Sequence, residues 1–348
     1  MSSKDRLAEH PSRRNPARSD LLEVLDEATL AALPKVQVHG WRPPMLATLT
    51  ERRFSDPAWV FERKLDGVRA LSTGNGAGPE LWSRNQIRIS NRYPELTEAL
   101  AARGEPRFVA DGEIVAFDGA QTSFAKLQAR IHLTDPQRIA ATGVDVFYYL
   151  FDLLAYDGFD LTGLPLRDRK RVLRAVFDYR DPLRYSVHRN TEGEAYYRHA
   201  CERGWEGVIA KRADSRYRSG RSTDWLKFKC VREQEFVVGG FTDPQRSRVG
   251  LGALLVGYYE QGKLRYAGKV GTGYDNATLR ALRTTLEALT QSQSPFADPV
   301  RERGVHWTRP ELVVQIGFSE WTREGRLRHP RYLGLREDKS PTEVVRES

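Results

Sequence analysis

Glu62-Arg63-Lys64-Leu65-Asp66-Gly67-Val68-Arg69 is the stretch on which the fold reading turns. It follows Trp59-Val60-Phe61, an aromatic and β-branched run of strand character. Asp-Gly then marks a turn, because glycine accepts backbone angles that other residues avoid. A lysine therefore stands at a strand end, beside a turn, with a second cation, Arg69, just beyond it. Such an amine can act as a nucleophile if its surroundings lower its affinity for the proton, since a free lysine (pKa about 10.4) is almost wholly protonated at neutral pH. Arg69 and a bound metal ion are two groups able to do this. Standing alone, Lys-x-Asp-Gly arises by chance in about one chain in ten of this length, and a charged hairpin turn accounts for it as well.

Further strings follow in order: Trp82-Ser83-Arg84-Asn85, Ala110-Asp111-Gly112-Glu113, Tyr149-Leu150-Phe151-Asp152-Leu153-Leu154, Glu206-Gly207-Val208-Ile209-Ala210-Lys211, Trp225-Leu226-Lys227-Phe228-Lys229 and Arg336-Glu337-Asp338-Lys339. In the Trp225 string Lys227 and Lys229 alternate, so on a strand both side chains share a face and Phe228 takes the other. Taken alone, such a pair could also be a basic sheet edge that discourages aggregation.

This succession resembles the covalent nucleotidyltransferase superfamily of ATP-dependent DNA ligases, RNA ligases and mRNA capping enzymes. Within it the chain is similar to the ligase module of the bacterial end-joining LigD type. The likeness runs from Pro43-Pro44-Met45-Leu46-Ala47 to Lys339 and includes Ser123-Phe124-Ala125-Lys126-Leu127-Gln128, Leu164-Pro165-Leu166-Arg167-Asp168-Arg169-Lys170 and Arg221-Ser222. One departure is Ser219, where that module commonly has proline. The resemblance implies an α+β nucleotidyltransferase (adenylation) domain followed by a small OB-fold β-barrel domain.

It also implies roles. Lys64 would attack the α-phosphorus of ATP, and Lys227 and Lys229 would hold the α-phosphate. Glu206 would bind Mg2+ (or Mn2+), and Glu113 and Arg84 would hold the ribose or neighbouring phosphates. Glu62 would read the adenine amino group and Phe151 would stack on the ring. Arg69 belongs to the same nucleotide-binding set. Arg221 has the position of a nucleotide-binding arginine, although a loop arginine touching DNA phosphate would look the same. Arg336 and Lys339 would orient the departing pyrophosphate when the barrel closes. The implied activity is ATP-dependent sealing of 5′-phosphate/3′-hydroxyl breaks in duplex DNA. RNA ligation or capping on the same core, or a catalytically idle nucleic-acid-binding module, are the alternatives.

Along the 348 residues, residues 1–40 read as a basic N-terminal arm, partly disordered, with Arg13, Arg14 and Arg18 available for DNA contacts. Residues 41–231 mix strand runs with helical stretches such as Leu166 to Phe177. From 232 to 348 the texture changes to short strands with glycine-centred turns and one helical insert at Thr278 to Thr290, which suits a small barrel. Gly257 to Lys263 has P-loop spacing, but Leu264 stands where Ser or Thr must bind magnesium, so a hairpin is expected instead. The histidines show no metal-ligand spacing.

A net charge of +9 favours a polyanionic partner, and nicked duplex DNA is the expected one. Two cysteines, Cys201 and Cys230, build neither a disulfide framework nor a cysteine-rich zinc site. The expectation is a cytoplasmic, nucleoid-associated monomer without a membrane span. Ku and separate end-processing proteins would be its possible partners.

Overall fold

The computed structural model describes residues 21, 23–36, 40–102, 107–230, 233–244 and 249–347. Arg13, Arg14 and Arg18 lie outside them. Strands β1 (Met45–Leu49), β2 (Asp56–Lys64), β3 (Val68–Asn75), β4 (Pro79–Ser83), β5 (Arg107–Asp118) and β6 (Val146–Tyr156) lead into helix α1 (Leu166–Val176). Strand β7 (His188–Thr191), helix α2 (Gly193–Glu202) and strands β8 (Gly207–Arg212) and β9 (Gly220–Lys229) follow. The C-terminal part comprises β10 (Glu233–Thr242), β11 (Leu254–Glu260), β12 (Lys263–Val270), α3 (Asn276–Glu287), β13 (Val305–Thr308), β14 (Val313–Gly317) and β15 (Arg331–Leu335).

Strands β4, β3, β5 and β6 lie side by side in one sheet, and β1-β9-β8-β2-β7 form another. The two-residue period of a strand assigns each side chain to a face. In β3 and β5, Val68, Ala70, Phe108, Ala110, Ile114 and Ala116 enter one core. Leu71 and Val109 point the other way, into a cluster with Met45, Phe151, Tyr217 and Trp225 drawn from both sheets. That second cluster fastens the sheets together, and Arg69, Asp111 and Glu113 share its face by the same alternation. In the other sheet Phe61, Val208, Ala210 and Phe228 pack on Tyr196 and Ala200 of α2. The alternate positions Glu62, Lys64, Ile209, Lys227 and Lys229 consequently turn toward the first sheet. Apolar backing on the outer faces thus drives charged groups into the space between the sheets.

In the C-terminal part, β10 pairs with β14 through Glu233–Val237 and with β13 through Gly240–Thr242, while β11 takes its other edge. Sharing one strand among three neighbours curls the sheet around Phe236, Val238, Leu255, Val314 and Ile316. A Cβ at Gly239, at the register shift, would meet the Phe296 ring at 2.5 Å. Helix α3 starts at Asp275, whose carboxylate accepts the Thr278 N–H at 2.7 Å. Gln261 and Gly262 turn β11 into β12 with φ of 51° and 73°. The Gly257–Lys263 stretch is therefore a hairpin, as expected, with both turn residues in the left-handed region.

The described end of the arm does not stand alone: Leu21, Leu25 and Leu30 are buried in the first core. Cys201, near the end of α2, and Cys230, just after β9, form a disulfide with Cα atoms 5.2 Å apart. This bond departs from the expectation that the two cysteines build no disulfide framework. Close packing of α2 on its sheet brings together residues separated by 29 positions.

Arg169 of α1 and Asp152 of β6 are both fully buried. Arg169 Nε and Nη2 donate to the two carboxylate oxygens at 2.7 and 2.8 Å, and Nη1 donates to the carbonyls of Leu164 and Ser215. Removing one member of such a pair strands the other charge and costs about 3–5 kcal/mol. Arg169→Met is expected to lower the unfolding free energy in urea by about that amount, and a loss below about 1 kcal/mol contradicts this role.

Candidate active site

Across the second sheet, β8 lies between β2 and β9, and its register aligns Lys64 with Gly207 and Lys229, and Glu62 with Ile209 and Lys227. Two rungs therefore present Lys64 and Lys229, then Glu62 and Lys227, on one face. Gly207 permits the close strand approach: its φ is +151°, and a Cβ there would lie 1.9 Å from the Phe228 carbonyl oxygen. From the first sheet, Arg69 is paired in register with Glu113. All twelve residues singled out from the sequence line one cavity: Glu62, Lys64, Arg69, Arg84, Glu113, Phe151, Glu206, Arg221, Lys227, Lys229, Arg336 and Lys339.

Lys64 Nζ forms an ion pair with Glu206 Oε1, and Glu206 Oε2 is buried without a hydrogen-bond partner. Acids crowd this spot. Burial, then the nearby Glu206, pushes the Asp66 carboxyl up to about 6, while Asp66 Oδ2 accepts the Phe124 N–H. Burial, Glu206 and Asp66 push Glu233 up to about 7. Glu113 also rises to about 7, through burial that the Arg69 charge does not offset. Near neutral pH these carboxyls are poised between charged and neutral forms, so a cation entering the cavity would draw protons off them.

Lys227 and Lys229 share one carboxylate. Glu347 Oε1 pairs with Lys227, and Oε2 with Lys229 at 2.8 Å. Burial and the neighbouring Lys229 pull Lys227 down to about 8. Burial works against the charge of Lys229 too, but Glu347, Glu206 and Glu235 outweigh it and raise its proton affinity. The C-terminal segment is held in place by Gln234, whose Oε1 accepts the Glu347 N–H and whose Nε2 donates to the Val345 carbonyl, each at 3.0 Å.

The opposite wall is built around Arg69, whose Nε and Nη2 donate to Asp111 at 2.6 and 2.7 Å while its guanidinium lies 4.5 Å from the Phe151 ring centre. Tyr217 donates its hydroxyl to the same Asp111 at 2.6 Å. Glu62 is ringed by donors: Lys170 Nζ at 2.6 Å, Lys211 Nζ at 2.9 Å and Ser186 Oγ at 3.1 Å. Burial opposes its charge, but Lys170 and Lys211 outweigh that and hold it at about 2. Arg221 Nη1 donates to the Ala47 carbonyl, and Arg84 pairs with Glu343.

Arg336 and Lys339 reach the cavity from the far end of the chain. Arg336 pairs with Asp338 and lies 4.4 Å from the Phe124 ring centre, and Lys339 pairs with Glu235. Gln128 donates to the Leu335 carbonyl and Asn85 to that of Asp338, bridging the two parts of the molecule. A primary amine, several fixed cations and poised acids enclosed together suit transfer of a phosphorus centre from a polyanion.

Several residues in or beside the cavity were not singled out from the sequence. Lys211 and Asp66 sat inside quoted strings without a role, and Lys170, which reaches Glu62, closed another. Glu233, Glu235 and Glu347 gave no local signal, because only the folded chain brings them to the lysines.

Residues 44–229 match the model of the "ATP dependent DNA ligase domain", and residues 247–339 match that of the "ATP dependent DNA ligase C terminal region". The "Multifunctional non-homologous end joining protein LigD" of Pseudomonas aeruginosa is 39% identical over 360 residues, covering 99% of this chain and 42% of that protein. The LigD of Mycobacterium tuberculosis is 37% identical over 313 residues, covering 87% of this chain and 40% of that protein. The chain thus spans about two fifths of the length of these relatives. A solved structure described as "mycobacterial DNA ligase D complexed with ATP and MES" superposes with a TM-score of 0.62 at 36% identity, covering 87% of this chain and 98% of that one. Family models that together take in most of the chain, joined to a likeness of fold and sequence, establish that it belongs to the ATP-dependent DNA ligases.

Proposed function

We propose that this chain seals 5′-phosphate/3′-hydroxyl breaks in duplex DNA in three transfers. The Lys64 amine attacks the α-phosphorus of ATP; a P–N bond forms, the P–O bond to the β-phosphate breaks, and pyrophosphate leaves. The 5′-phosphate oxygen of DNA then attacks the same phosphorus, so the P–N bond breaks and AMP is joined to DNA. Finally the 3′-hydroxyl attacks the DNA 5′-phosphorus, closing the strand and expelling AMP. The observation carrying this reading is the alignment of Lys64 and Lys229 on either side of Gly207, with Lys227 one rung away.

In this reading Lys227 and Lys229 hold the α-phosphate as its charge grows, and Arg336 and Lys339 steady the pyrophosphate. Glu113 and Arg84 hold the ribose or neighbouring phosphates. Phe151 stacks on adenine, Glu62 accepts from its amino group, and Arg221 meets nucleotide or DNA phosphate. Arg69 braces the wall behind Phe151.

Glu206, with its buried unpartnered oxygen beside Asp66 and Glu233, suits a divalent cation. Among the described residues no group of three His, Cys, Asp or Glu is arranged as a metal cage. Mg2+ or Mn2+ would suit Glu206, since such ions take one or two carboxylates together with substrate phosphates and water. When bound, such an ion neutralises charge on the triphosphate.

The end-joining names of the relatives and the +9 charge extend the proposal to double-strand-break repair on DNA of the cytoplasmic nucleoid, alongside Ku. Among the described residues no helix is long and apolar enough to cross a membrane.

Incubation with radiolabelled ATP is expected to leave label that survives denaturing electrophoresis on the wild type and only background on Lys64→Ala. An unlabelled wild type would instead support an idle binding module. With matched nicked substrates, DNA is expected to be sealed in preference to RNA, and preference for an all-RNA nick overturns the DNA assignment.

Phosphate and Glu347 compete for the same two ammonium groups. Glu347→Gln is therefore expected to lower the KM for ATP by about threefold to tenfold; an unchanged or raised KM contradicts the competition. The Lys227 charge yields a pH prediction. Its protonated form attracts phosphate, so ATP capture is full below about pH 7 and weakens as pH rises through about 8. Lys227→Arg, which stays charged, is expected to flatten that limb of the kcat/KM profile.

A further inference from the structure

The floor of the cavity carries a buried arrangement that the transfer chemistry leaves unused. Glu62 lines the cavity together with Ser186, Ile209 and Phe151. Behind it Lys170, on α1 and almost wholly buried, donates to Glu62 Oε1 and also to the Ser186 carbonyl at 3.0 Å. Ser186 returns its hydroxyl to Glu62 Oε2. The helix thus clamps both the carboxylate and the backbone beside it. Lys211 completes the ring, but its Nζ also lies 4.1 and 4.2 Å from the ring centres of Phe151 and Trp225.

We propose that Lys170 is a positioning residue for base selection: through Glu62 it makes the cavity demand a hydrogen-bond donor at position 6 of the purine. An ionised carboxylate accepts hydrogen bonds and donates none. It therefore attracts an exocyclic amino group and repels a carbonyl oxygen at the same place. A carboxyl free to take up a proton or rotate would accommodate either. Burial without a partner favours that neutral form, so the buried ammonium groups are what commit Glu62 to accepting. The strong hold on its charge agrees with this geometry. The inference rests on the placement of adenine against Glu62 in the proposed function.

The test is the ratio of kcat/KM for ATP to that for ITP in self-adenylylation, since ITP replaces the 6-amino group with a carbonyl. Sites built to hydrogen-bond a substrate group discriminate by large factors, so the wild type is expected to prefer ATP by roughly 100-fold or more. Lys170→Met, close in length but uncharged, is expected to reduce that preference at least tenfold, chiefly by raising the KM for ATP, with kcat at saturating ATP little changed. A merely structural role would lower both nucleotides alike and leave the ratio intact; that result in a folded variant overturns the proposal. Lys170→Gln, which keeps a donor toward the Ser186 carbonyl, carries the same expectation where the methionine variant does not fold. Glu62→Leu, which has no acceptor, separates the two levels. If it leaves the ratio intact, adenine is not read at Glu62 and the placement itself fails. If it abolishes the preference while Lys170→Met does not, only the assignment of Lys170 falls.

Discussion

Charge confined between two sheets is the constraint on which the rest of the structure depends. The side chains there are mostly buried, and an isolated ion in such a place costs several kcal/mol. Every charge must therefore find either a partner from the chain or one from a ligand. The described residues show the first solution: Lys64 with Glu206, Lys227 and Lys229 with Glu347, Glu62 with Lys170 and Lys211, and Arg69 with Asp111. Binding a triphosphate to such a site is an exchange of partners. In the proposed function a phosphate that takes over the two lysines releases the Glu347 carboxylate, which limits the net gain.

This exchange links chemistry to domain arrangement. Glu347 reaches Lys227 and Lys229 from the C-terminal part, and Arg336 and Lys339 of the same part line the cavity. In the proposed cycle the same segment supplies cations to the leaving pyrophosphate and must then withdraw to expose the adenylylated lysine to DNA. In that proposal a lid contributing groups only when closed would couple the first transfer to closure and the later ones to opening. The bridging contacts are polar, among them Gln128 to Leu335, Asn85 to Asp338 and the Arg84–Glu343 ion pair, a kind of interface that can be broken and remade.

Much of this was legible in the sequence. Strand alternation placed Lys227 and Lys229 on one face, and the ordered strings brought together residues that do line one cavity. The turn after Gly257 was legible because Leu264 rules out phosphate-loop chemistry and glycine suits a hairpin. What could not be read depends on contacts between distant segments. Lys170 looked like one basic residue among several on a helix, and nothing local shows that α1 packs so as to bury it against Glu62. Cys201 and Cys230 become a pair only once α2 lies against its sheet. Glu347 is an ordinary terminal glutamate until the curled sheet carries it back to β9. Periodicity reports the face on which a residue lies, but not what another element will set against that face.

The central claim is a covalent phosphorus–nitrogen bond at position 64. Intact mass spectrometry of the protein after ATP, then after pyrophosphate, tests it most directly, with peptide mapping to locate the change. The account predicts a mass increase of one AMP group on the peptide containing Lys64, removed when pyrophosphate reverses the transfer. No adduct with ATP and a divalent cation present, or an adduct mapped to a different residue, would contradict it.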